Sequence, residues 1–281
     1  MGKFLDLHRV LLVGAGLLSA ASARAADSPR EIVVKSISAD NDNIKVASHY
    51  TFREHDIDRE FDSAGRPKTT RKTTEELLFL GGKPFEHLIE KDDKPLPPDQ
   101  EKKEQAKLDK ATAEASRLTD AQREKRLADF ERQQQKDREI LKLIPDAYDF
   151  KLLGDGQLAG RNCWMILADP KPGYHGKYAG ILRNMKGKIW IDQSDYQWVR
   201  LEALALNDVS FGLFIARLSK GSSFVYELSR VNDEVWLPKV VTLKVNGRAL
   251  VKHFNVERET TFTDYRKYQA SSRIVAVAEE K

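Results

Sequence analysis

Cysteine is almost absent from the sequence: Cys163 is the only one in 281 residues, so no internal disulfide can form. Cys163 stands between Asn162 and Trp164 in a strand-like run, and no pairing with a nearby histidine or aspartate is visible. Because unpaired cysteines are commonly small buried hydrophobic residues, the pattern predicts a core position for Cys163 rather than a catalytic nucleophile.

Long apolar runs are also scarce, and the main one, residues 10–18, lies near the start of the chain. It follows the basic residues Lys3 and Arg9 and precedes Ala23-Arg24-Ala25, a small-x-small cleavage site, so residues 1–25 read as a secretory signal peptide. Its apolar core is well short of the roughly 20 residues that span a bilayer. The sequence therefore predicts an exported chain.

The sequence lacks any block of one charge sign, although 32% of its residues are charged. Removing residues 1–25 takes away three basic residues and one acidic residue, so the net charge falls from +4 to +2. This balance gives no basic patch for nucleic acid. The five histidines of the mature chain are scattered singly, which gives no metal site. No hydrolase motif occurs, and the paired Asp56 and Asp58 read as solubilising, so neither catalytic residues nor a cofactor are expected.

The clearest structural signal is residues 186–206, where two apolar-rich runs flank the polar turn Gln193-Ser194-Asp195. This pattern predicts a β-hairpin, and the same alternation recurs downstream as a meander of strands. Upstream, residues 27–39 predict a short amphipathic helix, with Ser28 or Asp27 as cap and Pro29 in its first turn. Three meandering strands follow before residue 92.

Residues 97–144 differ sharply, because from residue 99 to residue 142 they contain no glycine or proline and are rich in Ala, Gln, Glu and Lys. This composition predicts helix. Thr119-Asp120-Ala121-Gln122 matches a capping box, so a second helix begins there rather than one rod continuing. The apolar seams are thin, as in Leu108, Ala111, Ala115 and Leu118, which favours a solvent-exposed helical hairpin over a core element.

The order of these elements resembles the LolA-like proteins, which are periplasmic lipoprotein carriers and sorting proteins. The most specific matches are the GKIWID hairpin at residues 187–192 and the Trp-Leu-Pro strand at residues 236–238. The resemblance implies a mainly β (α+β) fold: a curved, half-open antiparallel β barrel with an N-terminal helix, here carrying the long charged hairpin insertion 97–144. It implies a single domain over residues 26–281 and, for the exported chain, a location in the periplasm.

The resemblance also implies a function, which is to shield acyl chains of lipids or lipoproteins from water without catalysis. The apolar alternates expected to line the concave face, and so to bind ligand, are Trp190, Phe224, Tyr226, Trp236, Leu243 and Phe254. The alternative interpretation is an envelope protein-interaction or stress-sensing module of the same fold, with an envelope protein bound through the charged hairpin. In either case the chain is expected to be a monomer.

Overall fold

The computed structural model describes residues 27–211, 216–249 and 252–268, and the signal peptide predicted at residues 1–25 lies outside them. In the described ranges the helices are α1 (Pro29–Ala47), α2 (Pro98–Ser116), α3 (Asp120–Asp137), α4 (Ile144–Ala147) and α5 (Ala179–Leu182), with a 3₁₀ turn at Arg138–Leu143. The strands are β1 (Tyr50–Phe61), β2 (Pro67–Leu80), β3 (Lys83–Lys91), β4 (Lys94–Pro95), β5 (Tyr148–Leu158), β6 (Arg161–Pro170), β7 (Met185–Asp192), β8 (Trp198–Ala205), β9 (Val209–Phe211), β10 (Ala216–Leu218), β11 (Ser223–Val231), β12 (Val235–Ala249) and β13 (Lys252–Lys267).

These strands form one antiparallel sheet in the order β4-β3-β2-β1-β13-β12-β11-β8-β7-β6-β5, with β9 and β10 as a side branch on β12. The two edge strands, β4 and β5, do not pair with each other in the part of the chain that the structure describes, so the sheet stays open. The predicted fold class is therefore confirmed: a half-open antiparallel barrel with an N-terminal helix and an inserted helical hairpin.

Helix α1 begins as predicted but extends further. The Ser28 hydroxyl accepts a hydrogen bond from the backbone N–H of Glu31 and the Glu31 carboxylate accepts one from the backbone N–H of Ser28, so the two residues form a capping box. The prediction ended the helix at residue 39, whereas it runs to Ala47. Tertiary packing explains the extension, because Val46 and Ala47 pack against a small core formed by Tyr50, Val235 and Leu237.

Helix α1 is fastened across the β7–β8 hairpin and the start of β12. Trp198 Nε1 donates to Ser36 Oγ on the helix at 2.9 Å. The Asn43 side chain pairs with both backbone polar groups of Trp236. Its amide nitrogen donates to the Trp236 carbonyl at 2.7 Å, and its amide oxygen accepts from the Trp236 N–H at 2.8 Å. Beneath the helix lies the main core, to which Ile32 and Ile189 belong. We call the side of the sheet that α1 covers the helix face, and the opposite side the outer face.

The predicted 186–206 hairpin is confirmed as β7 and β8. Asp192 organises its turn, accepting hydrogen bonds from Arg161 Nε at 2.5 Å and from the Ser194 N–H at 2.8 Å. Burial alone would raise the pKa of Asp192, but the hydrogen bonds from Arg161 and Ser194 outweigh it and lower this pKa. The carboxylate therefore stays ionised and fixes the turn. Cys163 is buried, as predicted, and burial raises the pKa of its thiol to about 11.

The helical hairpin is confirmed, with a capping box formed by Thr119 and Gln122 at the start of α3. Neither α2 nor α3 contains a buried residue. The two helices close around the β2–β3 turn, where Gly81 and Gly82 have φ of +59° and +85°. A Cβ on Gly82 would lie 2.6 Å from the Arg123 carbonyl oxygen, so the turn needs glycine both for its left-handed backbone and for the close approach of α3.

Candidate functional site

Four of the six predicted ligand residues lie close together on the helix face. Phe224 pairs directly with Leu243 between β11 and β12, and their side chains therefore lie on the same side. Tyr226, two residues along β11, has its ring centroid 6.2 Å from that of Phe224. Phe254 pairs with Gly247, which is four residues from Leu243 on β12 and therefore lies on the same face of the strand. We call this surface the apolar strip; it consists of Phe224, Tyr226, Leu243, Val245, Phe254 and Val256.

The apolar strip is only partly covered. Leu243 is 38% exposed although it lies on β12, in the interior of the strand order. By contrast Trp236, near the other end of the same strand, is 4% exposed because α1 lies over it. The helix face thus has a closed half under α1 and an open, apolar half. An exposed leucine in the interior of a sheet is a surface that a ligand can cover.

The remaining two predicted residues, Trp190 and Trp236, lie outside the strip. Trp236 belongs to the core under α1, and its Nε1 donates to Asp195 at 2.9 Å. Trp190 follows the core residue Ile189 on β7, so strand alternation directs it to the other side of the strand, where it is partly buried and packs against the margin of the main core. There Lys188 Nζ lies 4.4 Å from the ring centroid of Trp190. The structure therefore does not bring either indole next to Phe224 or Leu243.

One end of the strip is closed by the helices. The ion pair between Asp40 of α1 and Arg138 of the 3₁₀ turn lies close enough to Tyr226 to affect its titration. Burial, and secondarily the charge of Asp40, raise the pKa of Tyr226, whereas Arg138 opposes them. Burial also raises the pKa of Asp40, and Arg138 partly compensates. The Tyr226 phenol is therefore neutral at physiological pH.

Past β13 the helix face becomes acidic. Glu54 on β1 pairs with Phe262 and Glu75, which puts two carboxylates side by side. Burial raises the pKa of Glu54 to about 7, helped by Asp56, Glu75 and Glu86 and opposed by Arg258. Burial also raises the pKa of Glu75, helped by Glu86, Asp56 and by Glu104 of α2. These carboxylates border the apolar strip with negative charge that Arg258 only partly compensates.

Sequence reasoning missed this acidic border. It treated Asp56 and Asp58 as solubilising side chains of an exposed hairpin, whereas β1 lies between β2 and β13. The Asp58 carboxylate accepts a bidentate pair of hydrogen bonds from Arg258, from Nε at 2.6 Å and from Nη2 at 2.9 Å. The signal available in the sequence was the alternation of Glu54, Asp56 and Asp58 on one strand face. It becomes informative only once the β1–β13 pairing is known.

The outer face carries a second apolar surface, a groove of about 290 Å³ between β6 and β11. Leu167, Lys188 and Val225 lie along one row of this groove, and Leu204 in the next row is 44% exposed. Lys186, Lys188 and Glu202 line the groove. The strip has six apolar side chains, with Arg258 beside Leu243 and Glu60 beside Val256 at its edge. Leu204 and Leu243 are thus two exposed leucines on opposite faces of the same sheet.

No protein-family model matches the chain, and no curated protein matches it. Among solved structures it is similar to a domain assigned to outer membrane lipoprotein sorting from Vibrio parahaemolyticus, at 10% identity and a TM-score of 0.37, covering 86% of this chain and 95% of that one. It is also similar to a LolA superfamily protein from Nitrosomonas europaea (9% identity, TM-score 0.29, 87% of this chain and 95% of that chain) and to a MucA/MucB complex structure from Pseudomonas aeruginosa (11% identity, TM-score 0.23, 86% and 99%).

LolA-like and lipoprotein-sorting proteins thus stand among the matched structures, as the sequence resemblance predicted. At these identities and TM-scores the likeness says nothing about what this chain binds. Within residues 27–211, 216–249 and 252–268, no helix is long and apolar enough to cross a membrane.

Proposed function

We propose that the chain is an exported, periplasmic carrier that binds acyl chains of lipids or lipoproteins on the apolar strip, without catalysis. The observation that carries the proposal is Leu243, exposed on an inner strand and flanked on the same face by Phe224 and Val245. An acyl chain laid over this surface removes apolar area from water on both molecules. No chemical step is needed for such binding.

The dimensions of the strip suit a chain rather than a compact ligand. From Leu243 to Gly247 the strip runs about 14 Å along β12, and its three strands span about 10 Å. Transfer of about 14 methylenes from water yields roughly 11 kcal/mol, from which association subtracts at least about 4 kcal/mol. The remainder is at most about 7 kcal/mol, which corresponds to a Kd no lower than about 10 μM. The assay must therefore resolve micromolar affinity.

The test compares two leucines. A fluorescent fatty acid is titrated into the wild type, Leu243→Asp and the matched control Leu204→Asp, and lipid that co-purifies with each protein is identified by mass spectrometry. Leu243→Asp should weaken binding more than tenfold, since a carboxylate in the strip must be desolvated. Leu204→Asp places the same charge on the outer face and should change the Kd less than twofold.

Two results would reject the carrier function. Absence of co-purified lipid together with no saturable binding of the fatty acid would remove the proposed activity. Equal weakening by both substitutions would show that the ligand does not distinguish the helix face from the outer face. Cooperative thermal unfolding of both variants is the control for folding.

A second candidate, an envelope protein-interaction or stress-sensing module, rests on the helical hairpin. The hairpin exposes a long charged surface, because neither α2 nor α3 contains a buried residue. Such a surface suits a protein partner of complementary charge. Pull-down from an envelope extract with the wild type and with a variant lacking residues 98–137 tests this function. A partner retained only by the wild type, without bound lipid, would favour the module over the carrier.

A further inference from the structure

A separate cavity of about 260 Å³ lies between the helical hairpin and the β2–β3 strands. Its floor is apolar: Leu80, which is 5% exposed, and Phe85 come from the sheet, and Ala111 comes from α2. The α2 residues that line it are spaced i, i+3, i+4 and i+7, so they share one helix face. The cavity shares no residue with the apolar strip.

Cations dominate the rim of this cavity. Lys107 and Lys110 of α2, Lys83 of β3 and Arg126 of α3 line it, against a single carboxylate, that of Glu114. Lys107 is paired with Glu104 at 2.7 Å. Lys83, Lys110 and Arg126 have no ion-pair partner within the described ranges.

What sets the rim apart is that three cations without an ion pair converge on one cavity. Elsewhere on the hairpin Arg123 is paired with Asp120 at 3.2 Å and Arg132 with Asp129 at 2.9 Å, whereas Lys102 and Lys125 have no ion pair in the described ranges but do not line the cavity. Like charges that converge without a counter-charge repel each other, and an anion placed between them relieves the repulsion. The rim is therefore complementary to a negatively charged group.

The cavity is also held in shape before any ligand arrives. Its two sides meet at the Gly81-Gly82 turn, against which α3 packs so closely that a Cβ on Gly82 would lie 3.1 Å from the Leu127 nitrogen. Arg126 Cβ would lie 3.3 Å from the same position, which places the stem of this rim cation against the turn. A preformed site loses little conformational entropy on binding.

We propose that this cavity binds the phosphate headgroup of an anionic phospholipid and so docks the hairpin on an anionic bilayer surface. The phosphate lies at the cationic rim, where Arg126 offers the two-pronged geometry that suits phosphate oxygens. The glycerol and first methylenes lie on the floor of Leu80, Phe85 and Ala111. The cavity is slightly smaller than a typical small-molecule pocket, whose volume starts at about 300 Å³. It therefore has room for a headgroup but not for a whole lipid.

The experiment measures co-sedimentation of the full mature chain with vesicles. Phosphatidylglycerol vesicles should bind the wild type, and phosphatidylcholine vesicles should not. Lys110→Glu combined with Arg126→Glu should lower the affinity for phosphatidylglycerol at least tenfold. The matched control, Lys102→Glu with Lys125→Glu, makes the same change in net charge on the same two helices at positions that do not line the cavity, and it should lower the affinity less than threefold.

Three results would overturn the proposal. Equal loss in both double variants would mean that net charge alone drives adsorption. Absence of phosphatidylglycerol binding by the wild type would remove the site. Saturable binding of inorganic phosphate by the wild type, lost in Lys110→Glu with Arg126→Glu, without vesicle binding, would assign the cavity to free phosphate. Helical circular dichroism of both variants checks that the hairpin is intact.

Discussion

Glu54 provides a test of the electrostatics on the helix face. Its side chain is half-buried beside Glu75, and its pKa is raised from 4.5 to about 7, first by burial and then by Asp56, Glu75 and Glu86. The folded state therefore keeps a proton on Glu54 that the unfolded state has already lost. Stability must fall as the pH rises through the interval from 4.5 to about 7, because there the native state binds more protons than the unfolded state.

The size of the effect follows from the displacement of the pKa. A displacement of this extent corresponds to a ceiling of about 3 kcal/mol. Water and salt reach a half-buried carboxylate and screen its neighbours, which reduces the expected effect to about 1–2 kcal/mol. Glu54→Gln removes the charge at every pH. The variant should therefore match the wild type near pH 4.5 and be about 1–2 kcal/mol more stable at pH 8.

Urea denaturation followed by tryptophan fluorescence, at several pH values between 4.5 and 8.5, measures this difference. Glu60→Gln is the matched control, since Glu60 lies on the same strand face but pairs with Val256 and Thr69 rather than with a carboxylate. The pH profile of Glu54→Gln is read against that of this control variant. A Glu54→Gln difference that is independent of pH, or a loss of stability at pH 8, would refute the reasoning.

The remaining predictions concern the hairpin, two tryptophans and the thiol. Replacing residues 98–137 by a Gly-Ser linker should leave cooperative thermal unfolding, whereas a deletion that also removes Leu141, which packs against the main core, should lower the unfolding temperature. Trp236→Ala should cost about 3–5 kcal/mol in urea denaturation and Trp190→Ala less, because Trp236 is buried under α1 whereas Trp190 is partly buried at the margin of the main core. Cys163 should resist alkylation at pH 8 until the chain unfolds; rapid labelling of the native protein would contradict its burial and the raised pKa of its thiol.

Local signals predicted much of the fold. Thr119 caps α3 as its capping-box pattern indicated, and Ser28, one of the two caps considered ahead of Pro29, caps α1, because a cap depends on residues three apart. The β-hairpins follow from alternation interrupted by turn residues, and these too are local. The end of α1 depends on contacts with residues such as Val235, almost 200 positions away, and was missed. The short strands β9 and β10 carry no alternation long enough to identify them.

The candidate site was harder to predict than the fold, for the same physical reason. Trp190 lies between Ile189 and Ile191, so both faces of β7 look apolar and alternation cannot assign the indole to one of them. Phe224 and Leu243 were in the predicted set, but only the strand register shows that they are direct neighbours. Likewise Glu54 and Glu75 become a coupled pair through the β1–β2 register, which no single stretch of sequence encodes.

The attachment of α1 limits the routes by which the proposed ligand could reach the strip. Asn43 satisfies both backbone groups of Trp236, and Trp198 holds Ser36 further along the same helix. Moving α1 off the sheet would break these hydrogen bonds and expose the core at the same time. Each buried polar group left without a partner costs about 1–3 kcal/mol. Helix α1 is therefore expected to stay fixed on the sheet and not to open as a lid. A ligand bound as proposed would therefore enter across Leu243 from the uncovered part of β12, and it would leave by the same route without unfolding any element.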